Sequence, residues 1–317
     1  MRSRFKGPIF IILSFTVSSG LVIWLIARMD FTRAIHLLRQ AQWQWLVLAV
    51  CLAGLIPLCG TCRWVGIVRA HDHLKFPVTV AWRAVMFSYA LNSFLPSKAG
   101  DFAKAFFFRN DGGISLGLGA VILERLADLL TLGVLGITGG LLSRNFWGIT
   151  AGVLLLFGST LAFTVILFLK EIKFPLPARW QAKSAEWSRL FSRWLKKPGS
   201  VVLTLGGSLA NWVLAGLIVC TLATALTGTS DWGYLLAVFP LAVLAGLVPI
   251  TVGGLGTRDS AFVILLAGHL TTEGATLVAL GYTVLAYWLV GILGVPVVLR
   301  EIVAFLRNRP GERWRPE

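Results

Sequence analysis

The chain has 317 residues, 56% of them hydrophobic and 14% charged, with a mean hydropathy of +0.79. That balance is too apolar and too poor in charge for a soluble globular domain. The formal net charge of +15 therefore points to cytoplasmic loops and anionic lipid rather than to nucleic acid.

Apolar segments follow one another at roughly 7–27, 44–62, 84–97, 114–142, 147–169, 200–227, 232–250, 258–270 and 275–299. Several approach or exceed the roughly 20 residues that a membrane helix needs. The first, preceded by Arg2, Arg4 and Lys6, runs from Pro8 to Ala27 with no small-residue cleavage site before Arg28. It reads as a retained span rather than a signal peptide. Cys59-Gly60-Thr61-Cys62 sits at the end of an apolar helix without a second such pair or nearby histidines, so buried structural thiols are expected rather than metal or redox chemistry. His71-Asp72-His73 reads as a solvated loop.

Basic residues orient the chain. Arg63, Arg69, Lys75 and Arg83 place 63–83 inside. The stretch from Lys170 to Lys197 carries eight basic residues against two acidic, and Arg300, Arg307, Arg309, Arg313 and Arg315 put the C-terminus on the same side. Segments 228–231 and 271–274 hold Asp231 and Glu273 with no Lys or Arg, and face out. On this count 84–113 starts and ends inside. Its arms of about 14 and 13 residues span roughly 20 Å each, short of the roughly 30 Å of hydrocarbon, which predicts a re-entrant hairpin. A second hairpin over 232–270 satisfies the other half. Loop 28–43 falls outside in this arrangement despite Arg28, Arg33 and Arg39.

The expected architecture is an all-α polytopic membrane protein, a single membrane domain over 1–317. Two halves of opposite orientation, 7–142 and 147–300, make an inverted repeat of about six full spans plus two re-entrant hairpins. A basic amphipathic cytoplasmic loop covers 170–199. Within it Trp180, Trp187, Leu190, Phe191 and Trp194 recur at helical spacing, which predicts a helix lying in the headgroup layer. Gly113 and Gly117, Gly136 and Gly140, and Gly148 and Gly152 have the spacing of close helix packing in lipid.

Two stretches about 150 residues apart share one pattern: an apolar run, Pro-x-x-x-Gly, then a cation and a carboxylate. The first contains Asn92, Pro96, Lys98, Gly100, Asp101 and Lys104. The second contains Pro249, Gly253, Gly254, Gly256, Arg258 and Asp259. Pro and Gly break helices, and hydrocarbon tolerates broken backbone only where protein or a wet cavity shields it. The prolines and glycines are assigned to shaping the turns. Free N–H groups at the start of the helix after Gly256, with Arg258, would attract an anion. Between the two breaks, segment 114–142 carries Glu124, Arg125 and Asp128. Arg125 and Asp128 are spaced to pair on one face. Glu124 lies beside Arg125 in sequence and faces away from it, so Lys98 or Lys104 is its expected partner. Buried charges in a membrane segment are either paired locks or functional groups.

The ordered set Leu95-Pro96-x-x-x-Gly100-Asp101-x-x-Lys104, Glu124-Arg125-x-x-Asp128 and Pro249-x-x-x-Gly253-Gly254-Leu255-Gly256-x-x-Asp259 resembles the flippase-like membrane family. That family includes the transmembrane domain of bacterial lysylphosphatidylglycerol synthases and standalone relatives. The resemblance covers nearly the whole chain and implies movement of a lipid across the membrane. The soluble transferase domain of the synthases lies outside it, so no enzyme activity is expected. Asp101 and Asp259 stand where the family often has Glu, Lys104 where it often has Arg, and Tyr282-Thr283 where a Tyr-Arg pair is common.

The residues together lead to a lipid translocase that binds an anionic phospholipid headgroup in the bacterial inner membrane, with both termini cytoplasmic. Asn92, Lys98, Asp101, Lys104, Glu124, Arg125, Asp128, Arg258 and Asp259 are the expected binding residues. No catalytic residue, metal or cofactor is expected, and an anionic lipid is the principal partner. A lipid-synthesis enzyme or a second copy of the chain are further partner classes. The alternative is a non-transporting scaffold for a lipid- or envelope-synthesis enzyme, in which the charges are locks. A membrane-embedded transferase is a third, weaker reading.

Overall fold

The computed structural model describes residues 6–71, 76–95, 98–109, 113–168, 178–248 and 250–307. Pro96 and Pro249 lie outside these residues, as do Asp72, His73, Lys75, loop 169–177 and the tail after residue 307.

Every regular element among the described residues is helical. The chain order is α1 (Lys6–Ala27), α2 (Phe31–Gln40), α3 (Trp43–Val68), α4 (Val78–Asn92), a 3-10 helix (Ala99–Phe108), α5 (Gly113–Leu142), α6 (Phe146–Phe168), α7 (Ala178–Leu195), α8 (Pro198–Thr227), α9 (Trp232–Ala245), α10 (Thr257–Leu266), α11 (Thr272–Thr283), a π-helical segment (Val284–Leu289) and α12 (Val290–Arg307). Four stretches are long and apolar enough to cross a bilayer: α3, α6, α8 and the continuous run Thr272–Ala304. A fifth forms if α1 and α2, bent by 84°, count as one broken span. The chain is a multi-pass helical membrane protein.

α1 turns into α2 at Asp30, whose carboxylate caps the new helix by accepting from the N–H groups of Thr32 and Arg33 at 2.9 and 3.2 Å. α3 lies along α8 at the centre of the bundle. The packing around this pair is reciprocal: α4 lies on α12, and α9 lies on α5. Each of the two chain breaks thus carries a short helix that docks on the last helix of the other half. α4 and α9, of 15 and 14 residues, reach only about 21–22 Å at 1.5 Å per residue. The apolar core divides in two. One part gathers on α8, α9, α10 and α11 around Phe239, Phe262 and Tyr282, and the other gathers around Trp64, Phe108, Leu123 and Phe191.

α5 and α6 approach closely through glycine. A Cβ on Gly136 would meet Gly148 O at 3.2 Å, and one on Gly152 would meet Gly133 O at 2.6 Å, which is how small residues let helices associate in lipid. Gly117 packs likewise on Ala105, but a Cβ on Gly113 would meet nothing within 4 Å. That glycine serves a left-handed turn at φ +83° instead.

The structure corrects several expectations. Arg63 and Arg83 are not loop residues. Arg63 lies inside α3 and Arg83 inside α4, and both are buried. Arg83 donates from Nε to Glu301 of α12 at 2.7 Å. An arginine that ends an apolar run looks juxtamembrane when its partners, 60 or more residues away, are invisible. The described apolar residues of this face of α7 pack on protein: Leu190, Phe191 and Trp194 are buried, Trp187 donates to Ser115 O at 2.9 Å, and Trp194 to Thr204 Oγ1 at 3.0 Å, while the Trp180 side chain lies outside the described residues. Of the cysteines only Cys220 is buried, while Cys51 and Cys62 are exposed on α3. His71 is buried rather than solvated.

Candidate functional site

The two chain breaks meet. Gly253 of the second donates its N–H to Leu95 O of the first at 3.3 Å. Gly253, Gly254 and Gly256 have φ of +57°, +80° and +92°, a region that L side chains enter only at a cost of about 1–2 kcal/mol per residue. A Cβ on Gly253 would also press on Asn92 O at 3.0 Å, and one on Gly100 would collide with Asn92 N at 2.6 Å. Gly253 therefore lets the two turns approach each other, and Gly100 lets the 3-10 helix fold back on α4.

Beside this junction lies a cluster of three cations and three carboxylates. Arg63 forks to Glu124 at 2.6 Å and Asp128 at 2.5 Å. Lys104 pairs with Glu124 and stands 3.6 Å from Asp101. Arg125 reaches Asp101 and Asp128, each at 3.0 Å, and Glu124 at 3.3 Å. The expected Lys104–Glu124 and Arg125–Asp128 pairs are both present. The expectation that Glu124 would not face Arg125 is corrected, because the Arg125 guanidinium reaches Glu124 as well as Asp128. Neutral donors complete the shell: Ser88 and Asn92 donate to Asp101 at 2.6 and 3.0 Å, and Ser208 and Trp212 donate to Asp128, the indole at 2.9 Å. Buried charges persist only when paired and hydrogen-bonded in this way. Glu124 lies roughly 15 Å along α5 from its start, well inside the helix.

Lys98 differs from the other cations. Among the described residues no carboxylate comes within ion-pair distance of it. Its ammonium lies over the rings of Trp212 at 4.7 Å and Tyr287 at 5.5 Å, a cation–π seat. Its backbone is left-handed at φ 55°, and strain of this kind in a non-glycine residue concentrates at functional sites. Tyr287 comes from the π-helical segment, a rare geometry that recurs at functional sites. The same ring lies 4.1 Å from the Arg258 guanidinium, so one tyrosine contacts the cations of both breaks.

Arg258 and Asp259 form the second centre. They pair at 3.3 Å, and Thr283 ties them together, donating to Asp259 at 2.7 Å and accepting from Arg258. The hydroxyl of Thr283 thus joins the pair at the position where the family resemblance leads one to expect an arginine. The turn ahead of α10 spends most of its backbone donors on protein. The N–H groups of Val252, Gly253, Leu255, Gly256 and Arg258 are all taken by protein acceptors, Gly256 by Asp259 itself at 2.8 Å.

A small cavity of about 50 Å³ opens beside the first break, between it and α3, α4, α5, α8, α11 and the π-helical segment. Of the residues expected to bind, Asn92, Lys98, Asp101, Arg125 and Asp128 line it, together with Arg63, Tyr89, Asn211, Trp212, Tyr282 and Tyr287. Lys104 and Glu124 lie behind it, 2% and 0% exposed, and Arg258 and Asp259 are also outside the lining. The Nε donors of Arg63 and Arg125 have no hydrogen-bond partner. Arg63, Tyr89, Trp212 and Tyr287 carry no sequence signal, because aromatic and isolated basic residues are common on membrane helices for other reasons.

No curated protein matches the chain. Residues 11–294 match the family described as the lysylphosphatidylglycerol synthase transmembrane region, and the chain belongs to that family.

Proposed function

We propose that this protein binds the anionic headgroup of a membrane lipid in the cavity beside its first chain break and carries it across the bacterial inner membrane. One observation carries the reading. The buried cluster is neutral by itself, with Arg63, Lys104 and Arg125 against Asp101, Glu124 and Asp128, so Lys98 is left as the surplus charge on the cavity wall. A cationic pocket with unspent arginine donors suits phosphate or another oxyanion. The reciprocal packing of α4 on α12 and α9 on α5 supports an inverted repeat, with the breaks as re-entrant hairpins and a site beside their junction. The basic residues at both ends of the chain favour cytoplasmic termini. The protein performs no covalent chemistry in this reading.

The test is lipid movement in vesicles of phosphatidylglycerol and phosphatidylcholine reconstituted with the purified protein, followed with a fluorescent phosphatidylglycerol and a membrane-impermeant quencher. Wild type should accelerate movement, and Lys98→Gln should return it to the protein-free rate. Equal rates for the two proteins remove Lys98 from the mechanism. Vesicles with wild type that match empty vesicles remove transport.

The scaffold reading draws on a different observation: all six cluster charges are paired, and the cavity is only about 50 Å³. It gains if lipid does not move while a lipid-synthesis enzyme co-purifies with the protein and is lost from it when α7 surface residues such as Arg189 and Arg193 are changed.

A further inference from the structure

A second concavity lies on the outer side of the first break, away from the charged cavity. It is a groove of about 450 Å³ between α4, the 3-10 helix and α12. Its walls are Leu91, Phe106, Phe107, Ile302 and Leu306, with Arg109 and Glu301 as its polar residues. The volume is ninefold that of the charged cavity and falls in the range of small-ligand sites.

Two polar features mark the groove as built for more than the lipid that coats any membrane helix. Arg109 is exposed at the end of the 3-10 helix, and among the described residues no carboxylate pairs with it. Glu301 is 6% exposed, and its Oε1 is taken by Arg83, but its Oε2 is buried without a hydrogen-bond partner. A buried carboxylate oxygen with nothing donating to it is costly, and its neighbour along the groove is an unmatched guanidinium.

We infer that the groove binds one phospholipid whose headgroup carries a hydrogen-bond donor. An acyl chain lies along Leu91, Phe106, Phe107, Ile302 and Leu306. The phosphate sits on the Arg109 guanidinium, whose planar fork matches two phosphate oxygens. A headgroup hydroxyl or ammonium donates to Glu301 Oε2. Phosphatidylglycerol and phosphatidylethanolamine share this chemistry, and phosphatidylcholine lacks the donor. The site is independent of the transport reading: it uses neither Lys98 nor the charged cluster.

The test uses the full chain in phosphatidylcholine nanodiscs doped with a phospholipid carrying a photoreactive diazirine in its acyl chain, with a glycerol, ethanolamine or choline headgroup in separate arms. Labelled positions are mapped by peptide mass spectrometry. With the glycerol or ethanolamine headgroup, labelling should concentrate on segments 103–109 and 301–306, about tenfold over the lipid-facing residues Leu154, Phe157 and Leu161 of α6. Whichever of the two labels more strongly names the native lipid. Arg109→Gln should lower groove labelling about tenfold, the effect of one lost charge-assisted contact. Leu306→Trp, at a residue 74% exposed and so tolerated by the fold, should lower it by narrowing the mouth. Lys98→Gln should leave it unchanged, so a failure of transport and a failure of this site are separate results. Even labelling over α6 and the groove, equal labelling by the choline lipid, or unchanged labelling in Arg109→Gln overturns the inference.

Discussion

Glu124→Gln is the sharpest probe of the buried charge network. Glu124 is 0% exposed and touches three cations: Lys104, Arg63 at 2.6 Å and Arg125 at 3.3 Å. The amide keeps the shape and removes the charge. Three cations then face two carboxylates, and Lys104 retains only Asp101 at 3.6 Å. Breaking one member of a buried pair destabilises by about 3–5 kcal/mol, because the remaining charge stays desolvated. Lys104→Met, at a residue 2% exposed, should fall toward the low end of the same range, since Glu124 keeps both arginines. The double variant restores neutrality with two cations against two carboxylates. It should be about as stable as either single variant, which makes the coupling about 3 kcal/mol, near the upper end for interacting neighbours. The assay is equilibrium unfolding in mixed micelles, with near-ultraviolet circular dichroism as the readout, for wild type, both singles and the double. Losses that add to within about 0.5 kcal/mol, as they do for distant sites, would refute a shared charge balance.

Gly253→Ala should cost about 1–2 kcal/mol from its left-handed backbone, and more if Asn92 O does not yield. Gly206→Ala, where a Cβ meets nothing within 4 Å, should be neutral or gain up to about 1 kcal/mol. Thermal unfolding of the two in the same detergent checks the pair. Trp212→Phe removes the indole donor to Asp128 at 2.9 Å and should lower stability by about 1.5–3 kcal/mol, as expected for a hydrogen bond to a buried charge, measured by the same unfolding titration. Raising salt from about 0.05 M to about 0.5 M should leave the unfolding midpoint nearly unchanged, because screening acts on exposed charges and five of the six cluster side chains are at most 5% exposed, with Arg125 at 27%. A large salt-dependent drop would mean the network is wet.

Most of the apolar helices, the two breaks and two of the ion pairs are legible in the sequence, because each rests on local spacing; α2 is not, since the charged stretch 28–43 reads as a loop. The i, i+3 relation of Arg125 to Asp128 needs only one helix. Pro and Gly announce the breaks directly. What escaped depends on partners distant in sequence. Arg63 looks like the end of a span until Glu124 and Asp128 are seen opposite it. Arg83 does so until Glu301 is found on α12. α7 has the pattern of a membrane-surface helix, and only the position of Phe163 and Thr204 reveals that protein covers its apolar face. The π-helical turn that carries Tyr287 leaves no compositional trace, so the aromatic seat under Lys98 could not be assembled in advance. Gly253 to Gly256 were read as an anion cradle because free N–H groups are usual at a helix start. Here Ser18, Leu95 and Asp259 take donors of that turn.

The balance of the six clustered charges bears on how the protein would respond to the cell's electrical potential. A full elementary charge displaced through 100 mV exchanges about 2.3 kcal/mol with the field. Three positive and three negative groups that shift together exchange almost none, so voltage does not bias the rearrangement of that assembly. In the proposed transport reading Lys98 is the surplus charge of the site, and a monovalent anion resting on it would cancel that charge. A loaded carrier of this design would run at the same speed in energised and de-energised membranes, while the empty one would not.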